Sequence, residues 1–335
     1  MIRNAGFDAG ILRAESAGVP VISIGNLTAG GTGKTPLVES ILQYLSAQGV
    51  HAAMLSRGYG RRSRGVQVVA DGHRVLLDAR DGGDEPVQVA RRCPGVPVIV
   101  AERRIDGARL AVREFGVDAI VLDDGFQHRS LRRDLDIVVL DAEKPVDREP
   151  MLPAGLRRER LVSLRRAHVI VYTGVRQTVT TPPPWSAGLP RYGGQMHLVC
   201  HRSWRQLRNA ASSAEVPAAS CRGKRAVVFS GIGNQSRFLA DATDAGVSVA
   251  AAFRFRDHYR YLRKDLELLA GRCREEKADF LLTTEKDTVR LESDMRLFTE
   301  TLGGLAVLYP ELTARCVPDG ALESKVMTYC RRRDS

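Results

Sequence analysis

Several features are missing from this sequence, and each absence excludes a class of protein. No apolar run approaches the roughly 18 residues of a membrane-spanning helix. The N-terminus lacks the long apolar stretch of a secretory signal. The six cysteines (Cys93, Cys200, Cys221, Cys273, Cys316 and Cys330) form no CxxC pair and no zinc-type spacing with histidine. They read as buried or idle thiols of a reducing cytosol. No RNP-type aromatic motif, zinc finger or basic heptad helix is present, so nucleic acid is not expected as a partner. Acidic residues are outnumbered, 39 against 50 Lys plus Arg, leaving a net charge of +11. Arginine carries most of the excess and is spread along the chain. A phosphorylated substrate or an anionic membrane face would attract it.

What is present reads as folded α/β protein. The chain has 335 residues, 44% hydrophobic and 27% charged, enough for one large or two medium domains. Val19–Ile24 reads as a buried strand, followed by a Gly-rich turn and then Leu37, Val38, Ile41, Leu42 and Leu45 at helical spacing. Further strands are expected at 51–55, 96–101, 119–122, 137–140 and 169–172, with a helix over 106–115. Val66–Leu77, with Asp71-Gly72 between two apolar runs, reads as a β-hairpin. The alternation predicts a parallel sheet covered on both faces. Thr178–Pro190 is too rich in proline to continue a helix or a central strand. A second alternating unit then begins near Ala226: a strand, a Gly-Ile-Gly turn, a helix to about Ala245, a strand over 247–253, a helix to about Lys277, and strands at 280–282 and 305–308. The expected fold is therefore α/β: a parallel-sheet domain over 1–177, which the Gly-rich turn makes P-loop NTPase-type, a β/Pro-rich linker region over 178–223, and a second, smaller α/β domain over 224–335.

The strongest chemical signal is Thr28-Ala29-Gly30-Gly31-Thr32-Gly33-Lys34-Thr35 between a strand and a helix. Glycines there let backbone N–H groups face a polyphosphate, and the helix N-terminus favours negative charge. Lys34 is placed to reach the β/γ-phosphates of ATP, and the Thr35 hydroxyl to ligate Mg²⁺. The first position of the usual G-x-x-x-x-G-K-[ST] pattern is Thr28 rather than glycine. Val117–Asp124 is an apolar strand ending in two carboxylates, and either Asp123 or Asp124 is suited to hold Mg²⁺. Gly125-Phe126-Gln127-His128 adds polar groups at the carboxyl end of the sheet, where α/β folds bind ligands.

Other segments read two ways. In Gly83-Asp84-Glu85-Pro86, Asp84 is an N-cap, Glu85 a dipole partner and Pro86 a first-turn residue, or the acids serve as general base or metal-shell group. The Arg-rich stretches Ser56–Arg62, Glu102–Arg104 and Arg129–Arg133 are solvated faces or phosphate partners. Phe255–Tyr259, with His258, follows a strand, and Thr283-Thr284-Glu285-Lys286-Asp287 closes another.

Together these segments resemble the tetraacyldisaccharide 4'-kinase family, the lipid A 4'-kinases of Gram-negative bacteria. The matching stretches are Pro20–Asn26, Thr28–Pro36, Leu55–Tyr59, Gly83–Pro86, Leu122–His128, Leu152–Gly155, Ser230–Gly233, Asp257–Tyr259 and Leu282–Asp287. Thr28 is usual in that family. The resemblance implies transfer of the ATP γ-phosphoryl group to the 4'-hydroxyl of an acylated glucosamine disaccharide 1-phosphate, giving lipid IVA. It implies ATP and Mg²⁺ as cofactors, two α/β/α domains joined by a small β-linker, and the nucleotide between them. It implies Asp84 as base, paired with His258, with Lys34 in the catalytic set. Glu85, Arg104, Gln127 and His128 are expected at substrate or phosphate. A peripheral site on the cytoplasmic face of the anionic inner membrane and a monomeric state are also expected. Family members usually begin with an apolar or amphipathic helix that docks on the membrane. Met1–Ala17 reads without one, so either the true start lies upstream or docking uses other means.

Two rival readings remain: a P-loop kinase or ligase for a small soluble substrate, and a nucleotide-switched binding protein. Thr284–Asp287 superficially resembles a guanine-binding N/T-K-x-D motif, but it lies in the second domain, which argues against GTP.

Overall fold

The computed structural model of the chain describes residues 2–175, 177–291 and 300–331. The elements in chain order are α1 (Ile2–Asp8), β1 (Val21–Gly25), α2 (Lys34–Ala47), β2 (Ala52–Ser56), β3 (Gln67–Asp71), α3 (Ala79–Gly82), α4 (Asp84–Arg92), β4 (Pro97–Val100), α5 (Arg104–Phe115), β5 (Ala119–Asp123), β6 (Leu135–Asp141) and β7 (Val169–Thr173). They continue with β8 (Met196–Asn209), β9 (Glu215–Val216), β10 (Arg225–Ser230), α6 (Gln235–Asp244), β11 (Ser248–Arg254), α7 (Arg263–Glu275), β12 (Phe280–Leu282), α8 (Glu285–Leu291), β13 (Val307–Val317) and α9 (Ala321–Cys330). Two compact units result. One contains Met1–Leu77, Asp81–Arg202 and Ala314–Ser335; the other contains Asp78–Arg80 and Ser203–Thr313.

In the first unit the strand order is β7-β6-β1-β5-β2-β4-β3, parallel except for β3. Strands β1, β2, β4, β5 and β6 are buried along their whole length, which is why they read as unbroken apolar runs. Ile105, Ala108 and Ala111 of α5 pack with Leu55, Ile99, Ile120 and Leu122. Helix α2 lies against β1, β5 and β2, and also against α4 and α9. Because β1, β2, β4 and β5 are parallel neighbours, Gly25, Ser56, Val100 and Asp123 all end at one edge of the sheet. That edge is the carboxyl end, where such sheets bind ligands.

The second unit repeats the plan on a smaller scale, with parallel strands in the order β11-β10-β12-β13. Phe229, Tyr261, Leu266, Leu269 and Leu281 form one of its cores. Strands β8 and β13 each run across the boundary between the units in sequence.

One local expectation is met and two need correction. The chain over Val66–Leu77 does fold back on itself: the Asp71 N–H bonds the Arg74 carbonyl at 3.2 Å and the Leu76 N–H bonds the Val69 carbonyl at 2.7 Å, with Val75 bridging Ala70. The Asp71 carboxylate accepts from the N–H groups of His73 and Arg74, which closes the turn, and β3 also pairs with β4 in antiparallel register. The strand expected at 305–308 runs on through Pro310 to Val317. The pairing with β12 ends at Leu308, so the missing N–H of Pro310 costs that ladder nothing. Finally, the N-terminal segment does form a short helix. Asn4 donates to Glu159 at 2.7 Å, and Asp8 pairs with Arg129 and Arg165, each at 2.8 Å. These are long-range polar bonds that no local pattern encodes. Ile11 and Leu12, just beyond α1, are exposed. Met1 lies outside the described residues.

Gly25 ends β1 where the chain passes closest to the β5 loop. A Cβ there would sit 2.6 Å from Phe126 Cβ and 2.8 Å from its backbone nitrogen. Gly25→Ala is expected to lower stability by about 1–3 kcal/mol, the usual cost of overpacking. A thermal midpoint indistinguishable from that of the parent protein would show that the two loops can separate.

Candidate active site

The loop after β1 is braced from several directions. Thr173 Oγ1 donates to the Thr32 carbonyl at 2.6 Å, and Asn26 Nδ2 donates to Thr32 Oγ1 at 3.2 Å. The Ala29 N–H bonds the Leu156 carbonyl at 2.7 Å, and the Arg158 N–H bonds the Leu27 carbonyl at the same distance. The segment containing Leu152–Gly155 thus returns along the loop. Gly30 and Gly33 have φ of 108° and 77°, values open to glycine without strain. Gly33 is the N-cap of α2, so Lys34 and Thr35 are its first helical residues. The N-terminus of such a helix favours an anion. Thr28, Ala29, Gly33, Lys34 and Thr35 are partly exposed, while Gly30 and Gly31 are open to solvent.

At the end of β5 the two carboxylates differ. Asp124 takes a left-handed backbone, φ 52°, and its carboxylate lies 3.4 Å from Lys34 Nζ and 2.7 Å from Arg158 Nη1. Burial opposes its ionisation, but Lys34 and Arg158 outweigh it and hold the carboxyl below the usual range. Asp123 is 2% exposed, and its Oδ1 has no hydrogen-bond partner among the described residues. Burial first, then the charge of Glu85, pushes its pKa up to about 7. A buried carboxylate oxygen without a partner suits a cation. Asp124 Oδ1 likewise has no hydrogen-bond partner among the described residues and only the Lys34 ammonium at 3.4 Å, so each strand-end acid has an oxygen of the kind that Mg²⁺ would need. No cluster of three or more His, Cys, Asp or Glu able to hold a metal by themselves occurs among the described residues. Mg²⁺ commonly takes one or two carboxylates and completes its shell with phosphates and water.

Asp84 is not the N-cap of α4. That position is Gly83, at φ 91°, and Asp84 is the first helical residue. A Cβ on Gly83 would stand 3.2 Å from Gly58 Cα, so the start of α4 is packed against the loop that follows β2. This contact brings Asp84 and Glu85 to the carboxyl edge of the sheet. Glu39 of α2 accepts from Gln88 at 3.0 Å and lies 3.5 Å from Arg92, clamping α4 to the helix that carries Lys34. Glu39 is 3% exposed, and nothing in the local pattern singled it out.

Arg104 is buried, donating to the carbonyls of Ala101 and Glu102, while its Nε has no partner among the described residues. Burial lowers its pKa to about 10, which leaves it charged at neutral pH, and Asp123 and Asp124 both act on it. His128 is driven down to about 4 by burial and then by the Arg104 charge, so it is a neutral ring. Its Nε2 lies 3.4 Å from the Arg104 N–H. Gln127 spends its amide on the loop, donating to the Asn26 carbonyl at 2.9 Å. The run Arg129–Arg133 is largely structural: Arg129 pairs with Asp8 and Arg133 with Asp136.

In the second unit, Asp287 is fully buried at the start of α8. It accepts from the Gly231 N–H at 3.1 Å, Tyr261 at 3.0 Å and Thr284 at 2.6 Å, and pairs with Arg290 at 2.9 Å. Burial raises its pKa against those partners. Arg290 reaches back to the Gly231 carbonyl at 2.8 Å and approaches Asp257 at 3.7 Å. Asp257 accepts the His258 N–H at 3.0 Å, and His258 has φ 59°. Three stretches separate in sequence, Ser230–Gly233, Asp257–Tyr259 and Leu282–Asp287, are therefore assembled around one carboxylate. The polar density of Thr283–Asp287 at a strand end was the only sequence signal for it.

A parallel sheet with a glycine-rich loop, Lys34 and Thr35 on one strand end and acids on the next defines a P-loop phosphotransferase domain. Comparison with known proteins makes this specific. Residues 1–330 match the family described as tetraacyldisaccharide-1-P 4'-kinase. The tetraacyldisaccharide 4'-kinase of Chlorobium limicola is 39% identical over 317 residues, covering 94% of this chain and 89% of that protein. The enzyme of the same name from Anaeromyxobacter sp. is 38% identical over 325 residues, covering 93% and 86%. A crystal structure of LpxK from Aquifex aeolicus in complex with ATP superposes with a TM-score of 0.77 at 30% identity, covering 98% of this chain and 94% of that one. The chain belongs to the tetraacyldisaccharide 4'-kinase family.

The raised pKa of Asp123 has a signed consequence. An unfolded aspartate ionises near 3.8, whereas the folded one holds its proton to about 7. The folded state thus binds more protons between those values, and stability falls as pH rises from about 4 to about 7. In the metal-free protein, Asp123→Asn is expected to flatten that decline in the thermal midpoint. An unchanged slope would mean that another group carries it.

Proposed function

We propose that this protein transfers the γ-phosphoryl group of ATP to the 4'-hydroxyl of tetraacyldisaccharide 1-phosphate, giving lipid IVA, with Mg²⁺ as cofactor. The observation that carries the reading is the convergence of Lys34, Asp123, Asp124 and Glu85 at the carboxyl edge of the first unit's sheet, in a chain of this family. Phosphoryl transfer depends on positioning and charge stabilisation more than on covalent help. Lys34 and the loop amides of Thr28–Thr35 hold the β- and γ-phosphates. Thr35 with Asp123 or Asp124 would hold Mg²⁺, which would supply positive charge against the phosphate oxygens. Asp124, tied to Lys34 and Arg158, keeps the lysine aimed along the loop. Asp84 takes the proton of the attacking hydroxyl, and His258 in the second unit supports it. Arg104 and the neutral His128, with Glu85 and Gln127, face phosphate and substrate. The domain division proposed at 178–223 separates the nucleotide-binding part from the part that carries His258.

The test is ³²P transfer from ATP to purified disaccharide 1-phosphate, with and without Mg²⁺, beside a panel of small soluble alcohols. Label on the acylated acceptor alone is expected, and preferential labelling of a soluble alcohol would overturn the substrate assignment. Asp84→Asn should lower kcat about 10²–10⁴-fold with ATP affinity little changed, the range of general-base help. A loss below about tenfold would return Asp84 to a structural role at the start of α4.

We further propose attachment to the cytoplasmic face of the inner membrane. No described helix is long and apolar enough to cross a membrane. The net charge of +11 suits an anionic leaflet, and Ile11 and Leu12 stand exposed beside α1. Binding to anionic vesicles should weaken as salt screens the charge. Salt-resistant binding would assign the attachment to buried apolar surface instead.

A further inference from the structure

The six cysteines are free thiols, and one pair is set apart by strand register. Strands β8 and β13 are neighbours. Ser203 Oγ and Thr313 Oγ1 lie 3.0 Å apart, and Thr313 Oγ1 also reaches the Ser203 carbonyl. Ser203 therefore stands opposite Thr313. Counting three residues back along β8 and three forward along antiparallel β13 places Cys200 opposite Cys316. Both are in the first unit and both are buried, 2% and 3% exposed. The Cys200 side chain first, and burial second, raise the Cys316 pKa, in keeping with this register, and the Cys200 thiol donates to the His201 carbonyl at 3.8 Å. Directly opposed antiparallel residues have Cα atoms about 4.5–5.5 Å apart. A disulfide spans about 4.4–6.8 Å, so the register needs no backbone movement to admit one. The flanking strands have dropped away at this point: β7 pairs with β8 as far as Val199, and β12 pairs with β13 at Val307 and Leu308.

We propose that Cys200 and Cys316 form an oxidisable dithiol, a modification site at which peroxide closes a disulfide between β8 and β13. In the proposed reaction the Cys200 sulfur is the nucleophile. It attacks hydrogen peroxide: an S–O bond forms, the O–O bond breaks, and one water leaves with the Cys200 proton. Cys316 sulfur then attacks the sulfenic sulfur. The S–S bond forms, the S–O bond breaks, and a second water carries off the Cys316 proton. The two thiols lose two electrons, and the peroxide gains them. The chain enters the second unit through β8 and leaves it through β13. The bridge therefore encloses residues 201–315 in one covalent loop. Closing so long a loop restricts the unfolded chain more than the folded one.

The test uses the full chain treated with hydrogen peroxide, then denatured, alkylated and digested without reductant. A peptide joining Cys200 to Cys316, two hydrogens lighter than the sum of its parts, is expected. The thermal midpoint should rise on oxidation and return with dithiothreitol. Cys200→Ser and Cys316→Ser should lose both effects, and Cys200→Ala and Cys316→Ala serve where serine destabilises the buried site. Recovery of both cysteines as alkylated or sulfinic residues while other thiols are oxidised would overturn the proposal. So would a bridge from either one to a different cysteine, or a linked peptide without any rise in the midpoint.

Discussion

Two adjacent carboxylates cannot both be buried as anions beside a single lysine, and the first unit is organised around that constraint. Asp124 takes Lys34 and Arg158 as counter-charges and stays ionised. Asp123 is left deeper, with Glu85 adding negative charge, and it retains its proton to about pH 7. Buried carboxyl oxygens without a hydrogen-bond partner are thereby left at the end of β5, and Lys34 is held by Asp124 at 3.4 Å.

The second unit uses the same device with the opposite outcome. Asp287 is as deeply buried as Asp123, but Gly231, Tyr261, Thr284 and Arg290 saturate its oxygens. A saturated buried carboxylate holds structure, and removing one partner from such a network is costly. It fixes a glycine turn and carries Arg290 toward Asp257, the neighbour of His258. One acid keeps an oxygen without a hydrogen-bond partner, and the other is spent on positioning a loop.

Much of the site was legible because it is local. The strand–glycine–lysine order of Val21–Thr35 and the apolar strand ending at Asp123 declare themselves within short windows, since fully buried parallel strands leave unbroken apolar runs. The different surroundings of Asp123 and Asp124 were not legible, because they turn on Arg158, 34 residues downstream. The N-cap reading of Asp84 was locally sound and lost to a tertiary contact, the approach of Gly83 to Gly58. Glu39 carries no motif signal, and the segment of Asp287 shows nothing of the partners that its carboxylate gathers. Their roles exist only where two helices, or three loops, meet.

By itself, the sequence determined the class of fold, the phosphate loop, the two strand-end acids and the family, since each is written in contiguous residues. Tertiary structure alone decided that Asp124 meets Arg158 and that β3 pairs with β4 as well as with its own return arm. It also decided that α9 comes back to lie on α2, and that Cys200 faces Cys316. These depend on residues far apart in the chain, where burial and strand register, rather than local propensity, set what each side chain meets.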